Sequence, residues 1–262
     1  MQVATMVKPE DIADALPDVK KADSLLDNYL SEKACKPDHR FSPQRYFNDT
    51  KKTYLWVRTP DLTAVVKTLK KHKAEPAFRQ FIDMLWYSNV FEKMIIAAKS
   101  YAFIELNFDD YTKLIRSIDN WAHCDVLCAS SGAYFRDHPG EIKRLMPLAK
   151  SKNPWERRFA TVSLIGILRE PNADHGTALQ VLDILMTDTD LKVIGAATDW
   201  MVREYLRKNY DAGLAYVRKW ADYAQRTGDK NVRWVLVRAR HKLKENDKKE
   251  IEKKLSVRKK GP

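Results

Sequence analysis

The sequence is short of glycine and contains no long apolar run. Only 8 of its 262 residues are glycine, and none lies in a glycine-rich loop of the kind that cradles phosphates. No apolar stretch approaches the ~20 residues that span a membrane. The first residues, MQVATMVKPEDIADALP, lack the apolar core of a signal peptide. These absences disfavour a membrane protein and a nucleotide-dependent enzyme.

Cysteine and histidine are also sparse. The three cysteines are Cys35, Cys124 and Cys128. Their odd number and their spacing do not fit a zinc or iron–sulfur site, which predicts free thiols in a reducing cytoplasm. The six histidines show no metal-ligand spacing, and the tripeptide SSG at 130–132 follows no strand, so it is no nucleophile elbow. The sequence predicts no metal and no cofactor.

Positive charge is abundant. The formal net charge is +12 and the pI is about 9.4. Part of this charge lies in the C-terminal segment RARHKLKENDKKEIEKKLSVRKKGP, but the central segments are basic as well. Phosphate contacts supply most of the sequence-independent affinity of proteins for nucleic acid, so the charge indicates a polyanion partner. The alternative is that the surface is basic but binds no polyanion.

The hydrophobic pattern is helical almost throughout. Apolar residues recur at i, i+3, i+4 and i+7 in segments such as VFEKMIIAAKSYAFIEL, RRFATVSLIGIL and ALQVLDILM. No segment alternates cleanly over five or more residues. The pattern predicts an all-α protein.

Similar helix starts recur along the chain. Asn or Asp, both strong N-cap residues, precedes a helical pattern at Asn89, Asn120, Asn153, Asp190 and Asp229. The intervals between these positions are 31, 33, 37 and 39 residues, within the range of helical-repeat proteins. Helical hairpins that cannot bury their own faces stack into a curved array. We therefore expect five or six stacked hairpins.

No boundary within the chain argues for a second domain. We expect one domain over 1–262, with an N-terminal extension at 1–41, a repeat array at 42–245 and a basic tail at 246–262. The segment DIADALPDVKKADSLLDNYLSEK predicts one helix. Pro43 and Pro60 each predict the start of another.

One of these helices carries a tryptophan and an aspartate at helical spacing, and another carries a tryptophan near its start. Trp121 and Asp125 are four residues apart, which places both side chains on one helix face. An indole face attracts a cation and a carboxylate neutralises it. Trp200 begins a similar turn two repeats later. The alternative is that Trp121 and Trp200 are core residues and that Asp125 caps a helix or pairs with an arginine.

Two arginines follow the proline at the start of another helix. Arg157 and Arg158 lie on its first turns, and we expect one of them to point away from the core. An arginine at a helix N-terminus suits a phosphate. The alternative is a salt bridge to Glu156, Glu170 or Glu204.

At these residues the chain resembles the AlkD family of DNA alkylation repair enzymes. The resemblance runs from about Ser42 to Lys244 and rests on YLWVRTP at 54–60, Leu85-Trp86 with Phe91-Glu92, Trp121-x-x-x-Asp125, Trp155-Glu-Arg-Arg158 and Trp200-Met-Val-Arg-Glu-Tyr205. It departs from the family pattern at Trp56, where the family usually has glycine. The implied fold is a right-handed superhelical solenoid of HEAT-like helical hairpin repeats.

The resemblance also implies a function. The family's catalytic aspartate corresponds to Asp125, its two cradle tryptophans to Trp121 and Trp200, and its backbone-contacting arginine to Arg158. Further DNA contacts are predicted at Arg157, Lys152 and Tyr46. The implied activity is hydrolysis of the glycosidic bond of cationic alkylated purines, such as 7-methylguanine or 3-methyladenine, in double-stranded DNA. The expected protein is a cytoplasmic monomer that needs no metal and no membrane.

Two other classes remain open at this stage. A non-catalytic DNA-binding HEAT-repeat protein would be favoured by replacement of Asp125 or of a cradle tryptophan, and neither is replaced. A protein-binding solenoid would favour an apolar or mixed concave face over one with Trp, Asp and Arg.

Overall fold

The computed structural model describes residues 6–47, 50–170, 173 and 175–256. Within these ranges the chain forms 15 α-helices and no β-strand, which confirms the all-α prediction. The chain divides into two compact units, Met1–Ser130 and Ser131–Pro262, and the division falls inside α8. No helix of the described residues is long and apolar enough to cross a membrane.

The first unit contains the helices up to the start of α8. Their bounds are α1 Pro9–Asp14, α2 Val19–Lys33, α3 Pro43–Tyr46, α4 Thr59–Lys71, α5 Phe78–Trp86, α6 Phe91–Ser100, α7 Phe108–Ile115 and α8 Trp121–Asp137. Helix α6 packs against α4 and α5, and α1 packs against α2 and α4. Helices α3 and α4 begin at or beside Pro43 and Pro60, as expected.

The segment before residue 42 is part of this core. We expected one helix here, but the structure forms two, because Pro17 lies between them and Asp18 caps α2 by accepting from the Lys21 amide at 3.1 Å. Ile12, Leu26 and Leu30 are fully buried. The segment therefore contributes to the hydrophobic core of the first unit.

The second unit contains the helices from α9 onward. Their bounds are α9 Leu145–Ala149, α10 Pro154–Leu168, α11 His175–Leu185, α12 Ala196–Lys208, α13 Tyr210–Thr227, α14 Lys230–Ala239 and α15 Glu245–Ser256. Helix α12 packs against both α10 and α14, while α9 packs against α11 and α13 packs against α15. Helix α15 buries Ile251 and Leu255, so this part of the expected basic tail is packed rather than solvated.

Four of the five predicted helix starts are confirmed. The side chains of Asn120, Asn153, Asp190 and Asp229 each accept a backbone N–H of the turn that follows. Asp190 opens a π-helical turn, Leu191–Gly195, which continues into α12.

The fifth predicted start was wrong. Asn89 has a left-handed backbone with φ 63°, which asparagine tolerates better than most residues, and α6 begins at Phe91. The Phe91 amide donates to the Thr53 carbonyl at 2.8 Å instead of to a capping side chain.

The tripeptide SSG also has a structural explanation. The hydroxyl oxygens of Ser131 and Ser163 are buried and lie 2.6 Å apart. A Cβ on Gly166 would lie 2.8 Å from the Cα of Gly132, so two helices cross closely here because neither residue has a side chain.

Candidate functional site

Seven aromatic rings of the first unit, Trp121 among them, form one cluster. Adjacent ring centroids are 4.5–6.5 Å apart, the range of favourable aromatic pairs. The members are Phe41, Tyr46, Phe47, Tyr54, Trp56, Phe91 and Trp121. Phe47 and Phe91 are buried, whereas Tyr46 is 56% exposed. The cluster therefore has an apolar base and an accessible edge.

Trp121 is fixed within this cluster. Its indole Nε1 donates to the carbonyl oxygen of Tyr46 at 3.0 Å. The Tyr46 ring meets it edge-on with centroids 5.6 Å apart, and the Phe47 ring lies 5.2 Å away. Trp121 remains half-buried, so part of its surface is available to a ligand. Tyr46, predicted as a DNA contact, is thus a direct neighbour of Trp121.

A polar network supports the start of α8. The Asp119 carboxylate accepts from the Thr50 hydroxyl at 2.8 Å and from the Lys51 amide at 2.9 Å. Burial raises the pKa of Asp119, but these bonds and one from the side-chain amide of Asn120 outweigh it and hold the pKa below its usual value. Residues 50 and 51 are therefore tied to the turn that precedes Trp121.

His123 belongs to the same network. It is fully buried. Its Nδ1 lies 2.7 Å from the side-chain amide nitrogen Nδ2 of Asn120, and its Nε2 lies 3.0 Å from the carbonyl oxygen of Phe91. A carbonyl can only accept, so the proton lies on Nε2 and Nδ1 accepts. Burial lowers the pKa of His123 to about 4, which keeps the ring neutral at pH 7. His123 therefore has a structural role in this network.

Asp125 lies one helical turn after Trp121. Both residues are on α8, and both are half-buried. Residues at i and i+4 of a helix lie on one face, so the indole and the carboxylate are on the same side of α8. A ring face beside a carboxylate is suited to a cationic ligand.

Glu92 organises the loop at 53–57. Its side chain is 1% exposed and accepts from the Leu55 amide at 3.0 Å and from the Val57 amide at 3.4 Å. Burial raises the pKa of Glu92, although the backbone hydrogen bonds oppose the rise. The Glu92 carboxylate is therefore the acceptor that fixes the backbone of this loop.

The two predicted arginines of the second unit are both engaged within the protein. Arg157 forms an ion pair with Asp188 at 2.7 Å, and its side chain is only 16% exposed. Arg158 is 6% exposed and donates to the carbonyl oxygen of Val193 at 2.6 Å. The partner of Arg157 is Asp188 rather than Glu156, Glu170 or Glu204. Both are held because α10 packs against the turn that precedes α12.

Lys152 and Trp200 are more accessible. The Lys152 side chain is exposed, and its carbonyl oxygen accepts from Arg157 at 3.2 Å. Trp200 lies on the first turn and a half of α12 and is half-buried. Neither tryptophan of the predicted pair is therefore a fully buried core residue.

A buried aspartate precedes Trp200. Asp199 is 2% exposed and accepts from Arg203 at 2.8 Å and from Arg238 at 3.1 Å. The Arg238 guanidinium lies over the Trp234 ring, 4.6 Å from its centroid. One carboxylate therefore fixes two partly exposed guanidinium groups.

Glu92 and Asp199 are buried carboxylates whose structural roles the sequence analysis did not identify. Glu92 was noted only as part of a family motif, because its partners at Leu55 and Val57 are distant in the chain. Asp199 stands four residues before Arg203, a spacing that predicts a helical ion pair. Arg238 could not be found this way, because it lies on another helix.

No group of His, Cys, Asp or Glu among the described residues is placed to hold a metal ion. What the geometry defines is a basic all-helical protein with an aromatic–carboxylate pair on one helix and internally fixed arginines on others. The family model described as DNA alkylation repair enzyme matches residues 32–243. The chain belongs to this family. Comparison with curated proteins and with solved structures finds no match.

Proposed function

We propose that this DNA alkylation repair enzyme is a DNA glycosylase that hydrolyses the N-glycosidic bond of cationic alkylated purines in duplex DNA. We further propose that its helices stack as HEAT-like hairpin repeats in a right-handed superhelix and that it acts as a cytoplasmic monomer. The observation that carries the proposal is the Trp121–Asp125 pair: a fixed, half-buried indole one turn from a half-buried carboxylate.

The chemistry of the lesion fits these two groups. Alkylation at N7 or N3 gives the purine a positive charge and makes it a good leaving group. When the bond between N9 and C1′ breaks, its electron pair goes to the base, which leaves neutral, and the sugar becomes an oxocarbenium-like cation. The oxygen of a water molecule then bonds to C1′, and the proton that this water loses goes to solvent.

Asp125 and the tryptophans have separate tasks in this scheme. The carboxylate of Asp125 stabilises the developing sugar cation and orients the water. Trp121 contacts the cationic nucleotide through its ring face, and Trp200 is the second aromatic contact. Neither task needs an acid that protonates the base. His123 cannot supply one at neutral pH, because it is buried and neutral.

DNA affinity is assigned to Arg158, Arg157, Lys152 and Tyr46. The guanidinium groups are already oriented by Val193 and Asp188, so a contact with a phosphate costs little side-chain freedom. Tyr46 contributes an exposed ring beside Trp121.

The test is release of free base from duplexes that each carry one lesion. We expect release of 7-methylguanine or 3-methyladenine, and no release of uracil or 1,N6-ethenoadenine, which leave as neutral bases only with protonation. The strand should stay intact until alkali cleaves the abasic site. Binding of lesion DNA without any release would instead support the non-catalytic alternative. Efficient uracil release, or a borohydride-trapped adduct, would contradict the mechanism.

A further inference from the structure

Trp56 has a backbone conformation that suits glycine. Its φ is 67°, and a bulky side chain in this left-handed region costs free energy that glycine would not. The only other non-glycine residue with positive φ in the described ranges is Asn89, a residue type that tolerates it. A tryptophan at this position therefore costs free energy of folding relative to glycine.

The backbone partners explain the conformation but not the side chain. The carboxylate of Glu92 holds the amides on both sides of Trp56, and the Trp56 carbonyl accepts from the Cys35 amide at 3.0 Å. Thr53 is bonded to Asn89 on one side of the loop. These contacts use backbone atoms of the loop, so glycine at 56 would satisfy them equally well. The reason for tryptophan must lie in its ring.

The ring is not core filling. Trp56 is half-buried, and it meets Phe41 and Tyr54 edge-on at centroid distances of 6.0 and 5.3 Å. Phe41 contacts Tyr46 at 5.1 Å, and Tyr46 contacts Trp121 at 5.6 Å. All four of these rings are at least partly exposed. We call the series Trp121, Tyr46, Phe41 and Trp56 the aromatic arc.

The arc extends well beyond the Trp121–Asp125 pair. Trp121 and Tyr46 alone would border a single cationic base, whereas Phe41 and Trp56 continue the aromatic surface. Exposed cations follow the same stretch of chain, at Arg45, Lys51 and Arg58. Aromatic rings interleaved with basic residues are characteristic of surfaces that bind unpaired nucleotides, where bases stack on rings and phosphates meet cations.

We propose that the aromatic arc is a stacking surface for an unpaired nucleotide and that Trp56 is its ring farthest along the arc from Trp121. A base in intact duplex is already stacked on both faces, so the arc discriminates in favour of locally unpaired DNA. This proposal rests on the DNA binding in the proposed function but not on base release.

The test compares two duplexes without any lesion. One is fully paired, and the other has the same sequence with a central mismatch bubble; binding is measured by fluorescence anisotropy at low and high salt. We expect the protein to prefer the bubble. Trp56→Gly should reduce affinity for the bubble duplex roughly tenfold, the scale of one base–aromatic contact, with little change for the paired duplex. The salt dependence should not change, because no charge is removed.

Two variants serve as controls. Trp56→Phe keeps a ring on the arc and should retain most of the bubble preference. Tyr87→Ala removes a ring that is 59% exposed but lies outside the arc. This variant should retain the full preference for the bubble duplex. If Trp56→Gly lowers the midpoint of thermal unfolding, Phe41→Leu tests the same surface without touching the loop backbone, and it should also reduce the preference.

Three results would overturn the proposal: wild-type protein with no bubble preference, a folded Trp56→Gly variant that keeps the preference, or equal losses for both duplexes. A protein that releases no alkylated purine while Trp56→Gly still abolishes its bubble preference would contradict the proposed glycosylase and leave the arc supported.

Discussion

The two units differ in how their candidate site residues are held. In the first unit, Trp121 is positioned by rings and by one carbonyl oxygen, and the surrounding contacts are mostly apolar. In the second unit, Arg157 and Arg158 are positioned by an aspartate and a carbonyl oxygen. The first arrangement holds an aromatic ring one helical turn from a carboxylate, whereas the second holds guanidinium groups on polar partners within the protein.

This difference separates two kinds of binding. Contacts between rings and bases act at short range and depend on which nucleotide is exposed, with little sensitivity to salt. Contacts between guanidinium groups and phosphates do not depend on sequence or damage, and salt weakens them. Substitution of Trp121 or Asp125 in the first unit should therefore affect lesion chemistry, and substitution of Arg157, Arg158 or Lys152 in the second should affect all duplex DNA.

The largest effect is expected at Asp125. Asp125→Asn keeps the shape of the side chain and removes its charge, so release of 7-methylguanine should fall on the order of a hundredfold or more, because the carboxylate stabilises the developing sugar cation. Binding to the same duplex should remain within about threefold of wild type, since no favourable phosphate contact is lost. Single-turnover release and anisotropy measure the two quantities.

A matched control for this change is Asp211→Asn, which neutralises an exposed aspartate on the first turn of α13. It should leave the release rate unchanged. If Asp125→Asn releases base as fast as wild type, the carboxylate is structural. The first unit then has no catalytic role that distinguishes it from the second.

Local features of this fold were predictable from the sequence. A side-chain cap forms within three residues of its partner, so Asn153 and Asp229 could be assigned from their neighbours alone. The placement of Asp125 one turn after Trp121 follows from helical geometry. The helices of the core could be predicted because the spacing of apolar residues within each segment is a local feature of the sequence.

Features that depend on distant partners could not be predicted in the same way. Glu92 is bonded to amides 35 and 37 residues earlier in the chain. The left-handed backbone of Trp56 follows from that pairing and has no local signal beyond the family's preference for glycine. Asn89 resembled a helix cap, but the Phe91 amide at the start of α6 donates to the Thr53 carbonyl instead. Each of these three features depends on hydrogen bonds between residues that are far apart in the chain.

The next largest effect concerns stability rather than binding. His123 is neutral in the folded protein because burial lowers its pKa to about 4 from its usual value of about 6.5. The unfolded chain therefore binds a proton that the folded protein does not, so stability is lost as the pH falls from about 6.5 towards 4. Between pH 7 and pH 5 this loss should be about 2 kcal/mol.

Urea unfolding at the two pH values measures the loss. His123→Gln removes the titrating group, and its stability should change less over this range than that of wild type, even if it is less stable at pH 7. An equal change in both proteins would show that the network beneath Trp121 does not depend on the charge of His123.

A smaller effect on binding is expected at Arg158. Arg158→Ala should weaken binding to damaged and undamaged duplex alike, about five- to tenfold, and lower the slope of log affinity against log salt by about one unit or less. Because the hydrogen bond to the Val193 carbonyl is also lost, the free energy of unfolding should fall by about 1 kcal/mol.

Arg158→Lys separates these contributions, since it keeps the charge but not the geometry of the guanidinium. It should retain most of the salt dependence. A loss confined to lesion-bearing DNA would place Arg158 at the base and would break the proposed division between the two units.

The smallest expected effect is at Lys152, and it tests the charge of the second unit without disturbing its packing. The Lys152 side chain is exposed, whereas its carbonyl oxygen accepts from Arg157, so truncating the side chain leaves this internal bond intact. Lys152→Ala should weaken binding to any duplex about two- to threefold at low salt, with no difference at high salt and no change in the unfolding midpoint. Lys113→Ala, which removes an exposed lysine on α7 of the first unit, is the matched control and should have a smaller effect. If both variants lose affinity equally, the positive charge acts through the whole surface rather than through the second unit, and the contrast between the units is one of aromatic contacts alone.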